Sequence, residues 1–171
     1  MVELPQNVLA FLNSAEQELG RHKAEEFSQA MWSECVPIKS PIEQLFLIAM
    51  NLIAEINFVT LYKAVEFSDS NDDLLLIPQW RVGKYSVDFA LRQHPIDKIV
   101  CVELDGHEFH DRNERQRRHE KMRDRFLTAN GYSVLHFTGA EIVRDPCAAA
   151  LEAFNLATDL KDVSTHPFNV E

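Results

Sequence analysis

Apolar residues recur at helical spacing through the first third of the chain and change to strict alternation near Leu74. That change of period sets the expected layout. Between Gln6 and Met31, Val8, Leu9, Leu12, Leu19 and Phe27 stand among acids and predict an amphipathic helix, which Gly20 allows to be two shorter ones. Cys35–Pro41, with Pro37 and Pro41, reads as a linker. Ser40-Pro41-Ile42-Glu43 then has the residues of a helix start: Ser as N-cap, Pro at the first position, and Glu placed to reach back to the cap. Ile42, Leu45, Phe46, Ala49, Leu52, Ile53 and Ile56 form a stripe that Leu47 and Ile48 widen, so this helix belongs in the core. Its end is open, because Phe58–Tyr62 reads equally as helix or strand. Phe67–Asp73 is a polar, acidic loop that lacks the Gly and terminal Glu of a calcium-binding EF-hand.

From Leu74 the period is two. Leu74–Val82 and Lys84–Leu91 predict a hairpin turning at Gly83, and Lys98–Leu104 a third strand. In the second run Tyr85, Val87, Phe89 and Leu91 share one face, and Ser86, Asp88 and Ala90 the other. An acid therefore sits inside a strand, where it wants a partner. Asp111–Asn130 predicts a helix closed by Gly131, with Met122, Phe126 and Ala129 as its apolar side. His119 lies one turn earlier, Leu127 on the flank, and Arg123, Glu120 and Gln116 on the border. Tyr132–Phe137 is a fourth strand, Thr138–Glu141 opens a short helical turn, and Asp145-Pro146 starts a last helix running to about Leu160. The class is α/β. His119 and His136 read as packing residues, and Val163–Glu171 as a loose tail.

Composition changes this picture little. A chain of 171 residues, 46% hydrophobic and 26% charged, suits one domain with a full core. Cys35, Cys101 and Cys147 are too scattered for a disulfide framework or a zinc knuckle. No basic stretch leads into an apolar run at the start, and Leu45–Ala54 is too short to span a bilayer, so the expectation is a cytoplasmic protein with no membrane partner. The net charge of −10 argues against nucleic acid, but it is unevenly placed. Residues 1–75 hold 12 acids and 4 bases, whereas residues 111–125 hold 7 bases and 4 acids. Charges more than about 8 Å apart are screened in physiological salt, so the local basic face outweighs the total. The acidic N-terminal helix is a covering element or a surface for a protein partner. No feature sets the oligomeric state.

The chemistry gathers at Lys98–His110. Glu103 and Asp105 point to one side at the end of an apolar strand, and such a pair is costly unless a cation or proton compensates it. If Asp88 is a neighbour, three carboxylates converge. Hard oxygen ligands in that number suit Mg2+, with Mn2+ as the alternative. A metal of this kind acidifies water and offsets charge on a phosphoryl group, and the basic helix downstream could hold a nucleic-acid backbone.

The runs VDFAL (Val87–Leu91), VELDGHEFH (Val102–His110) and RDRFLTANGYSVLHFTGAEIVRDP (Arg123–Pro146) resemble the PD-(D/E)XK, or restriction-endonuclease-like, nuclease superfamily. Among its branches they are most similar to the very-short-patch-repair-like one. The likeness runs from about Ser40 to Leu160. It implies an α-β-β-β-α-β core with a mixed sheet at residues 38–160, an N-terminal helical extension at 1–37, a C-terminal helix, and a tail at 161–171. It implies a metal-dependent endonuclease acting on DNA. Asp88 and Glu103 would be the metal ligands, joined by the backbone carbonyl of Leu104. Glu43 matches the glutamate that the first core helix often contributes, against its bland role of capping Ser40. Gln79 and Arg123 match polar positions close to such sites.

Asp105 stands where the superfamily motif has lysine. The lysine's work then falls to His107, His110, Lys121 or Arg123, with the histidines available as general base or acid. His107 and His110 alternatively bind zinc, cap the next helix or bond Asp105. Two further readings stay open: a non-catalytic nuclease-fold module that binds DNA or a protein, and carboxylates that merely form structural ion pairs with Arg123 and a histidine.

Overall fold

The computed structural model describes residues 4–19, 21–64, 66–67, 74–94, 96, 98–106 and 114–158. The polar loop at 68–73, the helix start at Asp111, Gly20 and the tail at 163–171 lie outside them. Two helices, α1 (Gln6–Leu19) and α2 (Arg21–Cys35), stand where one long amphipathic pattern with a central Gly allowed either. The core helix α3 (Pro41–Ile56) begins at Ser40, whose φ of −85° and ψ of 118° are extended, with Pro at the first turn. Residues 44 to 50 of α3 are buried without interruption. A helix apolar all round must be covered all round. The cover is α1 and α2 on one side and the sheet with α6 (Pro146–Thr158) on the other. Val8, Leu12, Met31 and Cys35 consequently join the same cluster as Phe46, Phe89 and Phe154.

Helix α3 ends by helix-terminating geometry that resolves the open reading at Phe58–Tyr62. The Phe58 N–H donates to the Glu55 carbonyl (3.2 Å) and the Val59 N–H to the Ala54 carbonyl (3.0 Å). This double bond pattern requires a left-handed residue just past the cap, and Phe58 takes it with φ +56°. The chain then enters β1 (Leu61–Lys63).

The sheet has five strands in the order β1-β2-β3-β4-β5, with β2 (Leu74–Val82), β3 (Tyr85–Gln93), β4 (Val100–Asp105) and β5 (Ser133–Thr138). β1 is parallel to β2, β2–β3 and β3–β4 are antiparallel, and β4–β5 is parallel. The parallel return from β4 to β5 needs a crossover, which α4 (Glu114–Ala129) supplies. The α3-β2-β3-β4-α4-β5 order expected from the resemblance is present, with β1 added at the edge. α5 (Gly139–Arg144) is held by a capping box in which the Glu141 N–H donates to Thr138 Oγ1 and the Thr138 N–H donates to Glu141. Among the described residues no helix is long and apolar enough to cross a membrane.

Three expectations fail here, each for a geometric reason. Tyr85, Val87, Phe89 and Leu91 do not share a face. Phe89 and Leu91 pack under α3 and α6, while Val87 joins Ala90, Cys101 and Leu127 under α4, and Tyr85 meets Phe126 of α4 with ring centroids 5.3 Å apart. The strands roll over at the Gln79–Asp88 level, where Gln79 has a φ of +50° and the ladder skips that pair. Alternation counts faces only while the backbone stays regular. Helix α4 is also turned from its expected seat. Leu127 is fully buried, whereas Met122 is 45% exposed and Ala129 exposed. Arg123 and Leu127, one turn apart, form the line that faces the sheet, because Glu103 draws Arg123 inward. His119 and His136 are exposed rather than packed, His119 lying edge-on to Tyr85 at 5.6 Å.

Candidate active site

The site is made by a fork in the sheet. β3 and β4 pair through Phe89↔Val102, and the same register would next set Asp88 opposite Glu103. The strands part there instead. Beyond the fork β3 pairs with β2 alone, while β4 continues on β5 through Glu103↔His136, Leu104↔Phe137 and Asp105↔Thr138. The Leu104 N–H that the ladder would have used donates to Asp88 Oδ2 at 2.7 Å. A side-chain carboxylate thus takes a backbone partner's place and is fixed in the fork.

Gln79 ties a second carboxylate to the first. Its Nε2 donates to Asp88 Oδ1 at 3.4 Å and to Glu43 Oε2 at 3.2 Å. Ser40 makes no side-chain cap bond at the start of α3, and its hydroxyl bonds the Glu43 carboxylate instead. Glu43 thereby faces the fork. Burial pushes its pKa up first, then the charge of Asp88, while the Gln79 and Ser40 hydrogen bonds oppose the rise. The pKa of Asp88 is also raised, by burial above all, against the Leu104 and Gln79 hydrogen bonds and Arg123.

Glu103 is the deepest of the group, 6% exposed. Arg123 reaches it from α4, Nη1 to Oε2 at 3.0 Å. Burial dominates, and although Arg123 opposes it, the charges of Asp88, Asp105 and Asp124 add to the rise, so the carboxyl is pushed up to about 8. The ion pair stands on one leg. Glu103 Oε1 and Arg123 Nε are both buried without a hydrogen-bond partner. Arg123 Nε is 3.8 Å from Asp124 Oδ1, and His136 Nε2 is 3.4 Å from that same oxygen. The sequence assigned no role to Asp124 and a packing role to His136. The available signals were Asp124 next to Arg123 in the chain, and the place of His136 in the strand after the helix.

These residues fit a divalent cation. Two carboxylates whose charged forms are disfavoured by burial, and a buried oxygen without a donor, are what such an ion would satisfy. Among the described residues no three His, Cys, Asp or Glu side chains form a group able to hold a metal. Side chains alone therefore offer Asp88 and Glu103, with the Leu104 backbone beside them, and few protein ligands with several waters is the habit of magnesium. Asp105 is half-buried at the end of β4 and acts on Glu103 and Asp88 as a like charge. Lys121 is exposed and lies roughly 200° around α4 from Arg123, so the structure does not bring it to the fork. His107 and His110 lie outside the described residues.

One family model, described as REase_MTES_1575 and restriction-endonuclease-like, matches residues 69–155, just over half of the 171-residue chain. The match takes in Gln79, Asp88, Glu103 and Arg123 but not Glu43, and it does not single out the very-short-patch-repair branch. Neither the curated proteins nor the solved structures gave a match.

Proposed function

The chain belongs to the restriction-endonuclease-like family REase_MTES_1575, and from that premise we propose that it is a metal-dependent endonuclease that hydrolyses phosphodiester bonds in DNA. The observation that carries the proposal is the fork, where Asp88 is locked on the Leu104 N–H opposite a buried Glu103 with a free oxygen. Asp88, Glu103 and the Leu104 carbonyl hold the ion. Magnesium, or manganese in its place, supplies charge neutralisation on the phosphoryl oxygens and a more acidic attacking water. Gln79 keeps Glu43 beside Asp88 without letting the two acids repel freely. Arg123 does the work of the missing lysine: its guanidinium brings a positive charge beside Glu103 that offsets charge on a phosphoryl group, and Asp124, backed by His136, steadies it. The exposed Arg118, Lys121 and Arg125 of α4 offer backbone contacts to the duplex. Three buried cysteines outside any disulfide suit a reducing cytoplasm.

Two observations favour the rival reading of a binding module without catalysis: Arg123 already occupies one Glu103 oxygen, and Asp105 replaces the lysine. Supercoiled plasmid and linear duplex incubated with Mg2+ or Mn2+ separate the two. Nicking or cleavage is expected, reduced at least about 100-fold in Asp88→Ala and Glu103→Ala. Cleavage that survives both changes undiminished removes the assignment.

A further inference from the structure

A second feature lies at the other end of α3. From Glu43 to Glu55 the helix rises about 18 Å. There α2, the end of α3 and residues 58–61 enclose an open groove of about 630 Å3. That is within the roughly 300–1,000 Å3 of clefts that take ligands. Its apolar wall is made by Phe27, Met31, Ala54 and Leu61. Of its charged residues, Lys23 is ion-paired with Glu55, which leaves Glu26 and Glu34 as the net charge. Glu34 is half-buried, and burial raises its pKa against the pull of Lys63.

Phe58 lines this groove and does little for the fold. Its position past the end of α3 requires a left-handed backbone, which glycine adopts freely and other L-residues at a cost of about 1–2 kcal/mol. A phenylalanine there is strained, and at 92% exposure it recovers nothing by burial. Among the described residues β1 is the terminal strand and pairs with β2 alone, so half of its backbone groups face away from the sheet. The exposed Phe58, an open strand edge and an acidic rim together describe a surface shaped for a basic, extended chain.

We propose that this groove docks an extended basic segment of a partner protein. Aliphatic side chains of that segment enter the apolar wall against Phe58, its lysines or arginines meet Glu26 and Glu34, and its backbone runs along the edge of β1. The surface is separate from the nuclease fork, and its test does not depend on cleavage.

The probe is a capped peptide, LKVRVKL, titrated into the 15N-labelled full chain. Two controls carry Glu in place of the bases or Ser in place of the aliphatics. Saturable shifts are expected at amides of residues 27–34 and 55–62, with none at Asp88 or Glu103, and with neither control binding. Glu26→Lys and Phe58→Ser, both on the surface, should each weaken the peptide about tenfold or more while leaving thermal unfolding within a few degrees. Three outcomes would overturn the proposal: equal binding to both variants, binding of the Ser control, or shifts centred on the fork. Concentration-dependent shifts of the same amides in the peptide-free chain would assign the groove to a second copy and overturn it as well.

Discussion

The two faces of the sheet are built to different rules. Under α3 and α6 lie Leu74, Leu76, Phe89, Leu91, Val100 and Val102, closed by Phe46, whose ring centroid is 5.2 Å from Phe89 and 6.4 Å from Phe137. Under α4 the fully buried residues are Val87, Ala90, Cys101 and Leu127, mostly small, and they give way at the fork to Glu103 and Arg123. One face is bulky and, among its described sheet residues, apolar. The other is thin enough to admit a carboxylate and its counter-ion. The difference teaches where stability and chemistry are separated in this molecule: the α3 face holds the strands in register, and that rigidity lets the α4 face keep charges in places where burial disfavours them.

Deleting a large side chain from the apolar face is the strongest way to break the comparison. Phe46→Ala should cost about 3–5 kcal/mol in urea unfolding, since no neighbour can fill so buried a hole. A loss below about 1 kcal/mol would mean that the α3 face is not the stabilising one.

The charged face should respond to pH instead. The pKa values of Glu103, Asp88 and Glu43 are raised in the folded protein, so it holds protons that the unfolded chain releases. Stability from these groups is greatest below the ordinary carboxylate value and is lost as pH rises. For Glu103 the window runs from 4.5 to about 8. Metal-free protein should therefore lose stability on the order of a few kcal/mol between pH 5 and pH 8, read by thermal unfolding. A flat or rising profile contradicts the buried-charge account.

Arg123→Met isolates the counter-ion. At pH 8 it should cost about 1–3 kcal/mol, because Glu103 loses its compensating charge, and clearly less at pH 5, where the carboxyl is protonated. Equal losses at both values would make Arg123 a packing residue. The smallest effect is expected away from both faces. Phe58→Gly should stabilise the chain by about 1 kcal/mol, by relieving the left-handed strain without removing a core contact.

Much of this was legible in the chain. The change of period at Leu74, the Ser-Pro start of α3 and the Gly131 stop of α4 are local signals, and the elements they announce are present. Asp88 and Glu103 could be singled out because a carboxylate inside an apolar strand is rare. Four things could not be read. The roll of the hairpin depends on a positive φ at Gln79, which no glycine announces. The seat of α4 is decided by the Glu103–Arg123 attraction, a contact between residues twenty apart, and that attraction overrides the apolar stripe through Met122. The turn of Glu43 toward the fork, a role the chain left open beside capping Ser40, depends on Gln79, distant in sequence. Asp124 and His136 acquire a role only once β5 is laid beside β4.

The central claim is that Glu103 and Asp88 are held at a fork by burial and await a divalent cation. Calorimetric titration of Mn2+ at pH 7, run in two buffers of different ionisation heat, tests it most directly. The account predicts a single saturable site that releases about one proton, since Glu103 is largely protonated before binding. Binding should be lost in both Glu103→Gln and Asp88→Asn. An isotherm unchanged in those variants, or no heat at millimolar metal, would contradict it.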